Sequence, residues 1–245
     1  MMPASPAWPP KSLPRLFVRA ALGQGALVAL DAAQVNYLGN VLRLKASDNV
    51  LLFDGASGEW LATIAEVGKK RMTLAVTEQT RQPESIPDLW LAFAPVKRAP
   101  VEWLIEKATE LGVARLVPVV TARTVVERLR LDRLQSIAIE AAEQCGRTVL
   151  PEIAEPVALE AFLKENDRTL YFADETEGEP TATIFAQGPA TILIGPEGGF
   201  TPEERASIRA TPNAKAISLG PRILRAETAA LAAVTAWMAL AGDWR

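Results

Sequence analysis

Two loops that contain glycine and proline carry the residues best suited to chemistry in this sequence. The first loop, residues 195–200, follows the apolar run 191–194, and the second, residues 220–228, follows another apolar run at 216–219. Each segment is predicted to form a strand, a Gly-Pro turn and the start of a helix. In an open α/β sheet, ligands bind just beyond the carboxyl ends of strands. The two loops are therefore predicted to wall one ligand pocket.

The second loop also carries charged side chains, Arg222, Arg225 and Glu227. A guanidinium stays protonated, so the arginines cannot act as ordinary bases, but they can stabilise an anion or bind a phosphate. A carboxylate becomes a useful base only when burial raises its pKa, and the available carboxylates are Glu227, Glu197 and Glu143. Glu227 is equally suited to pair with Arg225 or to cap the last helix. The chain has no histidine, which removes the usual general base and the commonest metal ligand.

The first loop has the composition of a tight backbone turn that precedes a helix. Gly198 and Gly199 allow a positive φ and let the backbone approach a ligand closely. Thr201 is predicted to be the N-cap of the following helix, with Pro202 at its first position. Neither loop matches G-x-G-x-x-G or the P-loop, so an ordinary pair of Gly-Pro turns remains the alternative interpretation.

The elements that must position these loops change in character along the chain. Residues 16–76 hold short strand-like runs separated by turn residues, with one helix near residues 31–38, which predicts a small β-barrel. A proline-containing linker at 81–87 precedes an apolar run at 89–94, typical of a buried parallel strand. Strands at 116–120, 169–173 and 191–194 then alternate with helices after Pro100 and at 131–146 and 159–164. This alternation predicts an α/β domain with a mostly parallel sheet.

The charge distribution is compatible with RNA binding by the first part of the chain. The net charge of −3 argues against a nucleic-acid binder, but residues 1–81 carry a basic excess and the remainder an acidic one. Arg15, Arg43 and Lys45 are candidate phosphate contacts. The basic run at 69–71 is a further candidate for phosphate contact, with a solvated hairpin tip as the slightly favoured interpretation. The acidic segment 174–180 is interpreted as a solvated loop rather than a metal site.

Other features of the composition limit the class of protein. The single cysteine, Cys145, excludes an internal disulfide and suits a reducing cytosol. The N-terminal residues lack the pattern of a signal peptide, and the longest apolar stretch is too short to cross a membrane. The final helix, residues 227–241, is apolar almost all round. We expect it to be buried on all sides, either centrally or at a subunit interface.

Several motifs together resemble those of the 16S ribosomal RNA (uracil-N3) methyltransferases, which belong to the SPOUT superfamily of knotted methyltransferases. The matching segments cover nearly the whole chain, at residues 41–44, 53–55, 106–113, 143–147, 194–200 and 219–229. One departure from the pattern lies at Asn36 and Tyr37, where the family often has a histidine before its Val-Leu-Arg motif. This departure weakens the transfer of an RNA-contact role to that position.

The resemblance implies an α/β fold with two domains. Residues 1–81 would form a PUA-like β-barrel that binds RNA, and residues 88–245 a SPOUT methyltransferase domain, a parallel sheet with flanking helices and a C-terminal trefoil knot. The resemblance also implies a homodimer with the cofactor pocket near its interface, acting in the cytoplasm. No metal ion and no membrane partner are implied.

The resemblance further implies that S-adenosylmethionine donates a methyl group to N3 of one uridine in small-subunit ribosomal RNA. Arg222, Arg225 and Glu227 are then the candidate catalytic residues, with Arg222 preferred for stabilising the uracil anion. The RNA contacts would be Arg15, Arg43, Lys45, Gln144 and Arg147. The cofactor would bind at Ile194, Gly195, Pro196, Glu197, Gly198, Gly199, Leu219, Gly220, Leu224 and Thr228. A methyltransferase acting on another RNA or base, or a non-catalytic RNA-binding protein of ribosome assembly, remains an alternative.

Overall fold

The computed structural model describes residues 13–68, 71–96, 98–125, 129–174 and 176–244. The chain divides into two compact units, residues 1–84 together with 143–149, and residues 85–142 together with 150–245. The first unit thus includes residues 143–149, which the sequence-based division assigned to the second domain. The first unit also continues to residue 84, and its last strand in chain order ends at Arg81. Arg81 was expected in the linker.

The described part of the first unit is built mainly from strands. Its elements are β1 (Arg15–Phe17), β2 (Leu27–Ala29), α1 (Ala32–Asn36), a π-helical turn (Tyr37–Val41), β3 (Asn49–Phe53), β4 (Glu59–Val67) and β5 (Met72–Arg81). The predicted helix near 31–38 is thus split. Asp31 caps α1 in a capping box with Gln34, and the π-helical turn continues from Tyr37.

The strands of the first unit form one mixed sheet, a half-barrel, in the order β1-β3-β4-β5-β2. β1 runs parallel to β3, and the other neighbours are antiparallel. Successive side chains of a strand point to opposite faces. In β5, Met72, Leu74 and Val76 are buried accordingly, while their neighbours are partly exposed. This alternation gives the unit its own apolar core.

The second unit alternates strands and helices, as the apolar runs predict. Its elements are β6 (Leu89–Phe93), α2 (Arg98–Glu110), β7 (Arg115–Val120), α3 (Leu131–Cys145, whose last residues belong to the first unit), β8 (Glu152–Ile153), β9 (Val157–Ala158), α4 (Leu159–Glu165), β10 (Thr169–Ala173), β11 (Glu179–Pro180), α5 (Thr181–Ile184), β12 (Ala190–Ile194), α6 (Pro202–Ala210), β13 (Ala214–Ser218) and α7 (Ala226–Leu240).

These strands form a parallel sheet in the order β11-β13-β10-β12-β6-β7-β8, and β9 pairs with β7. The central strand β12 lies between β10 and β6 and is buried along its whole length. Ile192 and Ile194 belong to the core that includes α7, and Leu193 belongs to the core on the other face with Phe200 of the first loop. Burial on both faces explains why β12 is a continuous apolar run.

Within the single chain the last helix is not buried on all sides, and burial of its remaining surface at a subunit interface stays a prediction. Its buried positions include Ala230, Ala233, Val234 and Trp237, which pack in the main core. Leu240 is 43% exposed within the single chain. Within the single chain the helix therefore has one covered face and one open edge. Among the described residues, none of the helices is long and apolar enough to span a bilayer.

Candidate functional site

A pocket of about 270 Å³ opens at the carboxyl ends of β10, β12 and β13 in the second unit. This volume lies close to the lower end of ligand pockets in proteins, which is roughly 300 Å³. Both Gly-Pro loops contribute to its wall, together with the end of β10 and the start of α7. The lining residues are Ala173, Asp174, Ile194, Gly195, Pro196, Glu197, Gly198, Gly199, Phe200, Ile217, Ser218, Leu219, Gly220, Arg222, Ile223, Leu224, Ala226 and Ala229.

The structure brings together nearly all residues that the sequence suggested for the cofactor. Nine of the ten candidates line the pocket, and Thr228 is the exception. Thr228 lies in the first turn of α7 and is exposed. The pocket wall combines apolar side chains, such as Leu219 and Leu224, with the backbone of the two loops. Such a wall can hold a flat, partly polar ligand through backbone donors and acceptors.

The first loop is a tight turn that leaves little space for side chains. Gly199 has φ +66°, and its N–H donates to the carbonyl of Pro196 at 2.8 Å. A Cβ atom placed on Gly195 would lie 3.0 Å from the ring of Phe200, which is buried in the core. Glycine at these two positions therefore allows the loop backbone to reach the pocket.

The helix after the first loop begins as the sequence predicts. Thr201 is the N-cap of α6 and Pro202 its first residue. The hydroxyl of Thr201 accepts from the N–H of Glu204 at 3.2 Å, and the Glu204 carboxylate accepts from the N–H of Thr201 at 2.9 Å. This capping box fixes the direction in which the chain leaves the pocket.

The third wall of the pocket contains a buried carboxylate that sequence reasoning placed in a solvated loop. Asp174 follows β10 directly and is 3% exposed. Its oxygens accept hydrogen bonds from the backbone and hydroxyl of Thr176, from Arg209 at 2.6 Å and from Arg205. The interpretation of Asp174 as a solvated residue is wrong, because two arginines of α6 hold it in place.

The Asp174 carboxylate stays ionised in this environment. Burial raises its pKa, but the hydrogen bonds from Thr176 and Arg209 and the charge of Arg205 outweigh burial and leave the pKa below its ordinary value of 3.8. Two arginines four residues apart on one helix face, with an acid at a strand end, were a sequence signal that could have indicated this contact but was not used. Glu177 pairs with Arg209 at 2.9 Å, and Glu175 lies outside the described residues.

The three candidate catalytic residues take different positions. Arg222 is exposed and lines the pocket mouth. Arg225 is also exposed, does not line the pocket, and is the N-cap of α7 without a side-chain cap bond. Glu227 has one carboxylate oxygen that is buried and has no hydrogen-bond partner within the described chain. In the described part of the chain, Arg225 and Glu227 form no ion pair, so the structure does not show the suggested pairing of Glu227 with Arg225.

The other two carboxylates considered as bases belong to different units. Glu197 is exposed and lines the pocket. Glu143 belongs to the first unit, where its side chain accepts from the N–H of Phe17 at 2.9 Å. Glu143 therefore has a structural role in its own unit, which sequence spacing did not indicate.

Two of the suggested RNA contacts lie inside the first unit rather than on its surface. Arg15 donates to Glu59 at 2.7 Å and to the carbonyls of Glu143 and Arg147 at 3.0 and 2.9 Å, and it lies over the ring of Phe53. Arg147 is 5% exposed. The structure gives no support for Arg15 and Arg147 as RNA contacts, because the Arg15 guanidinium is bound within the unit and Arg147 is almost fully buried.

The remaining RNA-contact candidates are accessible. Arg43, Lys45 and Gln144 are exposed in the first unit. Arg43 has φ +59°, an uncommon conformation for a residue with a side chain, directly after the π-helical turn. Such turns and strained residues occur often at functional sites. In the basic run at 69–71, only Arg71 lies within the described residues.

Comparisons with known proteins cover both units. A family model described as an RNA methyltransferase domain matches residues 82–238, and one described as an RNA methyltransferase PUA domain matches residues 30–77. The chain is 34% identical to ribosomal RNA small subunit methyltransferase E of Rickettsia conorii over 226 residues, which is 90% of this chain and 93% of the relative.

Two solved structures share the arrangement along nearly the whole chain. One is a ribosomal RNA small subunit methyltransferase E from Neisseria gonorrhoeae bound to S-adenosyl methionine, with a TM-score of 0.88, 31% identity, and coverage of 96% of this chain and 100% of the other. The second is a Legionella pneumophila protein with bound SAM, with a TM-score of 0.88, 32% identity, and coverage of 95% and 99%. The chain therefore belongs to the 16S ribosomal RNA (uracil-N3) methyltransferase family of the SPOUT superfamily.

Proposed function

We propose that this protein transfers a methyl group from S-adenosylmethionine to N3 of one uridine in 16S ribosomal RNA. The observation that carries the proposal is the pocket formed by two Gly-Pro loops at neighbouring strand ends. A relative with the same arrangement and 31% identity has been solved with S-adenosyl methionine bound. Relatives of similar length are named ribosomal RNA small subunit methyltransferase E.

The residues present fit the cofactor. The tight glycine turn provides backbone that can approach a ligand, and Leu219, Leu224 and Ala229 provide an apolar wall. S-adenosylmethionine, when bound, supplies an electrophilic methyl group on its sulfonium. The role of the pocket is to hold this group and the base in line, since transfer of a methyl group depends on positioning more than on covalent help from the protein.

The charged residues at the pocket mouth supply the remaining requirement, which is stabilisation of the uracil that has lost its N3 proton. Arg222 is exposed at the mouth and cannot itself take a proton. Its positive charge suits a developing anion on the uracil oxygens. Glu197 also lines the pocket and is a candidate acceptor of the N3 proton, with transfer to solvent as the other route.

The first unit is proposed to bind the ribosomal RNA around the target uridine. Support comes from the RNA methyltransferase PUA model over residues 30–77 and from the exposed residues Arg43, Lys45 and Gln144. The proposed division of labour gives RNA binding to the first unit, residues 1–84 with 143–149, and methyl transfer to the second. Since the substrate is ribosomal RNA, the proposed location is the cytoplasm.

A homodimer is also proposed. Support comes from the open edge of α7, where Leu240 is 43% exposed, and from Trp244 just after it, which is 49% exposed. Apolar side chains of this size are usual in an isologous interface. Light scattering at micromolar concentration should then give twice the chain mass of 26.4 kDa. A clean monomer would contradict this part of the proposal.

The test of the function is methylation in vitro. The purified chain is incubated with S-adenosylmethionine and either 16S ribosomal RNA or small subunits from a strain that lacks the protein. The RNA is then digested and its nucleosides are separated by mass spectrometry. We expect N3-methyluridine to appear in the mutant-strain substrate and not in wild-type substrate, which already carries the methyl group. A different methylated base would indicate another specificity, and no methylation would contradict the proposal.

A further inference from the structure

The turn after β7, residues 121–124, contacts the first loop of the pocket although it does not line the pocket. The turn is closed by its two threonines. The N–H of Thr121 donates to the hydroxyl of Thr124 at 2.9 Å, and the N–H of Thr124 donates to the carbonyl of Thr121 at 3.1 Å. Thr121 is 6% exposed, which anchors the turn at the end of the strand.

Two contacts attach this turn to the segment 195–204. The N–H of Ala122 donates to the carboxylate of Glu204 at 2.7 Å, and the guanidinium of Arg123 donates to the carbonyl of Gly198. Glu204 uses its other oxygen for the N–H of Thr201, as described above. One carboxylate therefore joins the turn to the start of α6, at the exit of the cofactor loop.

The contact at Gly198 has a specific consequence for the loop. The carbonyl of Gly198 and the N–H of Gly199 belong to the same peptide group, which is planar. Arg123 holds the carbonyl, while the carbonyl of Pro196 accepts from the N–H at 2.8 Å. Both ends of this peptide group are thus bound. Because Gly198 and Gly199 lack Cβ atoms, rotation of this peptide group would meet little steric resistance without these bonds.

We propose that Arg123 is a positioning residue that fixes the orientation of the Gly198–Gly199 peptide group and so keeps the pocket loop in its binding shape. Arg123 does not line the pocket, so in this proposal it acts through the loop backbone. A loop ordered before the ligand arrives binds with a smaller entropic cost. Loss of Arg123 should therefore weaken cofactor binding while leaving the fold in place. This proposal rests on the proposed use of S-adenosylmethionine by the pocket.

The first test measures S-adenosylmethionine affinity by calorimetry for wild type, Arg123→Ala and Arg123→Lys. We expect Arg123→Ala to raise the dissociation constant roughly 5- to 10-fold, the range for the loss of one ordering hydrogen bond. Arg123→Lys keeps a donor and should recover part of the affinity. The midpoint of thermal unfolding without cofactor should hardly change, since Arg123 is exposed. In turnover, KM for the cofactor should rise while kcat at saturating cofactor stays near wild type.

Glu204 and Thr201 provide a matched pair for a second test. Glu204→Ala removes the tether to Ala122 together with one half of the capping box, whereas Thr201→Ala removes the other half and leaves the tether. Both variants weaken the cap of α6. We expect only Glu204→Ala to weaken cofactor binding. The double variant Glu204→Ala/Arg123→Ala should lose less cofactor affinity than the sum of the two single losses, because both changes release the same turn.

The outcomes separate this proposal from the function on which it rests. If wild type does not bind S-adenosylmethionine, the proposed function fails. If wild type binds and Arg123→Ala binds equally well, the positioning role is contradicted. The alternative role for an exposed arginine is a phosphate contact. Unchanged cofactor affinity with weaker, less salt-dependent RNA binding in Arg123→Ala would assign Arg123 to RNA and overturn the proposal.

Discussion

Glu59 binds Arg15 within the first unit, with 2.7 Å between its Oε2 atom and the Nε atom of the arginine. The same carboxylate accepts from Arg81 at 2.9 Å, and Glu59 is only 5% exposed. The two arginines in turn donate to backbone carbonyls in the segment 143–149, at Glu143, Gly146 and Arg147. A single buried carboxylate therefore connects β1, β4 and β5 with a distant segment of the chain that belongs to this unit.

Removal of this carboxylate should destabilise the first unit. Glu59→Gln removes the negative charge that binds both guanidinium groups, and we expect a loss of about 3 kcal/mol in the free energy of unfolding. This value is the low end for a broken buried pair, because the side chain of Arg81 is 37% exposed. Urea unfolding measures the loss. An exposed acid such as Glu78 provides the control, since Glu78→Gln should change stability little.

The same carboxylate should make stability depend on pH. Burial raises the pKa of Glu59, but hydrogen bonds from Arg81 and Arg15 outweigh burial and lower the pKa below its ordinary value of 4.5. The stabilisation is therefore fully present above pH 4.5 and is lost as the pH falls through the lower pKa of the folded protein. The free energy of unfolding of wild type should therefore decrease as the pH falls below 4.5. A slope below pH 4.5 as steep in Glu59→Gln as in wild type would contradict the assignment.

Much of the fold follows from patterns along the sequence. Continuous apolar runs predict the buried strands, and β10 occupies Thr169–Ala173, the range expected. Thr201 and Pro202 mark the start of α6 correctly, because capping is a local interaction. The role of residues 143–149 in the first unit was not predictable, because it depends on contacts between residues more than a hundred positions apart, such as Arg15 and Glu143.

In the site too, features set by neighbouring residues could be predicted, whereas features set by contacts between distant residues could not. The two Gly-Pro loops were found because glycine and proline after an apolar run are local signals. Asp174 was missed because an acidic segment usually lies in solvent, and its burial depends on the two arginines of α6. Arg123 carries no local signal at all, since its partner is a backbone carbonyl in another loop. The assignment of roles to individual pocket residues stays a prediction.

Bulk at Gly199 should abolish cofactor binding without unfolding the protein. Gly199 has φ +66° and lines the pocket, so Gly199→Val adds both backbone strain and a side chain in the tight turn. Gly188→Val is the control, because Gly188 has φ +114° with open space around it and does not line the pocket. Calorimetry should show lost S-adenosylmethionine binding for Gly199→Val alone. An equal loss of S-adenosylmethionine binding in both variants would show that backbone strain in general, and not the added side chain in the pocket loop, causes the effect.

Arg43 should contribute to RNA binding through its charge. It is exposed in the first unit and directly follows the π-helical turn. Arg43→Ala should reduce RNA affinity and flatten the slope of log affinity against log salt by roughly 0.7–0.9, the value for one lost phosphate contact. Arg43→Lys keeps the charge and should retain most of the slope. Cofactor affinity should not change, and a parallel loss of cofactor binding would show that Arg43 is needed for folding instead.

Arg222 should affect the rate of methyl transfer, whereas Arg225 should not affect it to the same extent. Arg222 lines the pocket mouth, while Arg225 caps α7 and does not line the pocket. If Arg222 stabilises the uracil anion, Arg222→Ala should slow single-turnover methylation by around 100-fold, as for the loss of an oxyanion donor. Affinities for S-adenosylmethionine and RNA should stay near wild type, because the charge on the uracil develops during the reaction.

Arg225→Ala is the matched control, because it removes the same side chain three residues away on the same loop. Single-turnover rates are measured at saturating RNA and cofactor, so that weaker binding does not enter the comparison. We expect a large rate loss only in Arg222→Ala, with partial recovery in Arg222→Lys, which keeps the charge but not the planar fork. A near wild-type rate for Arg222→Ala would exclude this residue from the chemistry. A larger effect of Arg225→Ala would transfer the anion-stabilising role to Arg225 at the start of α7.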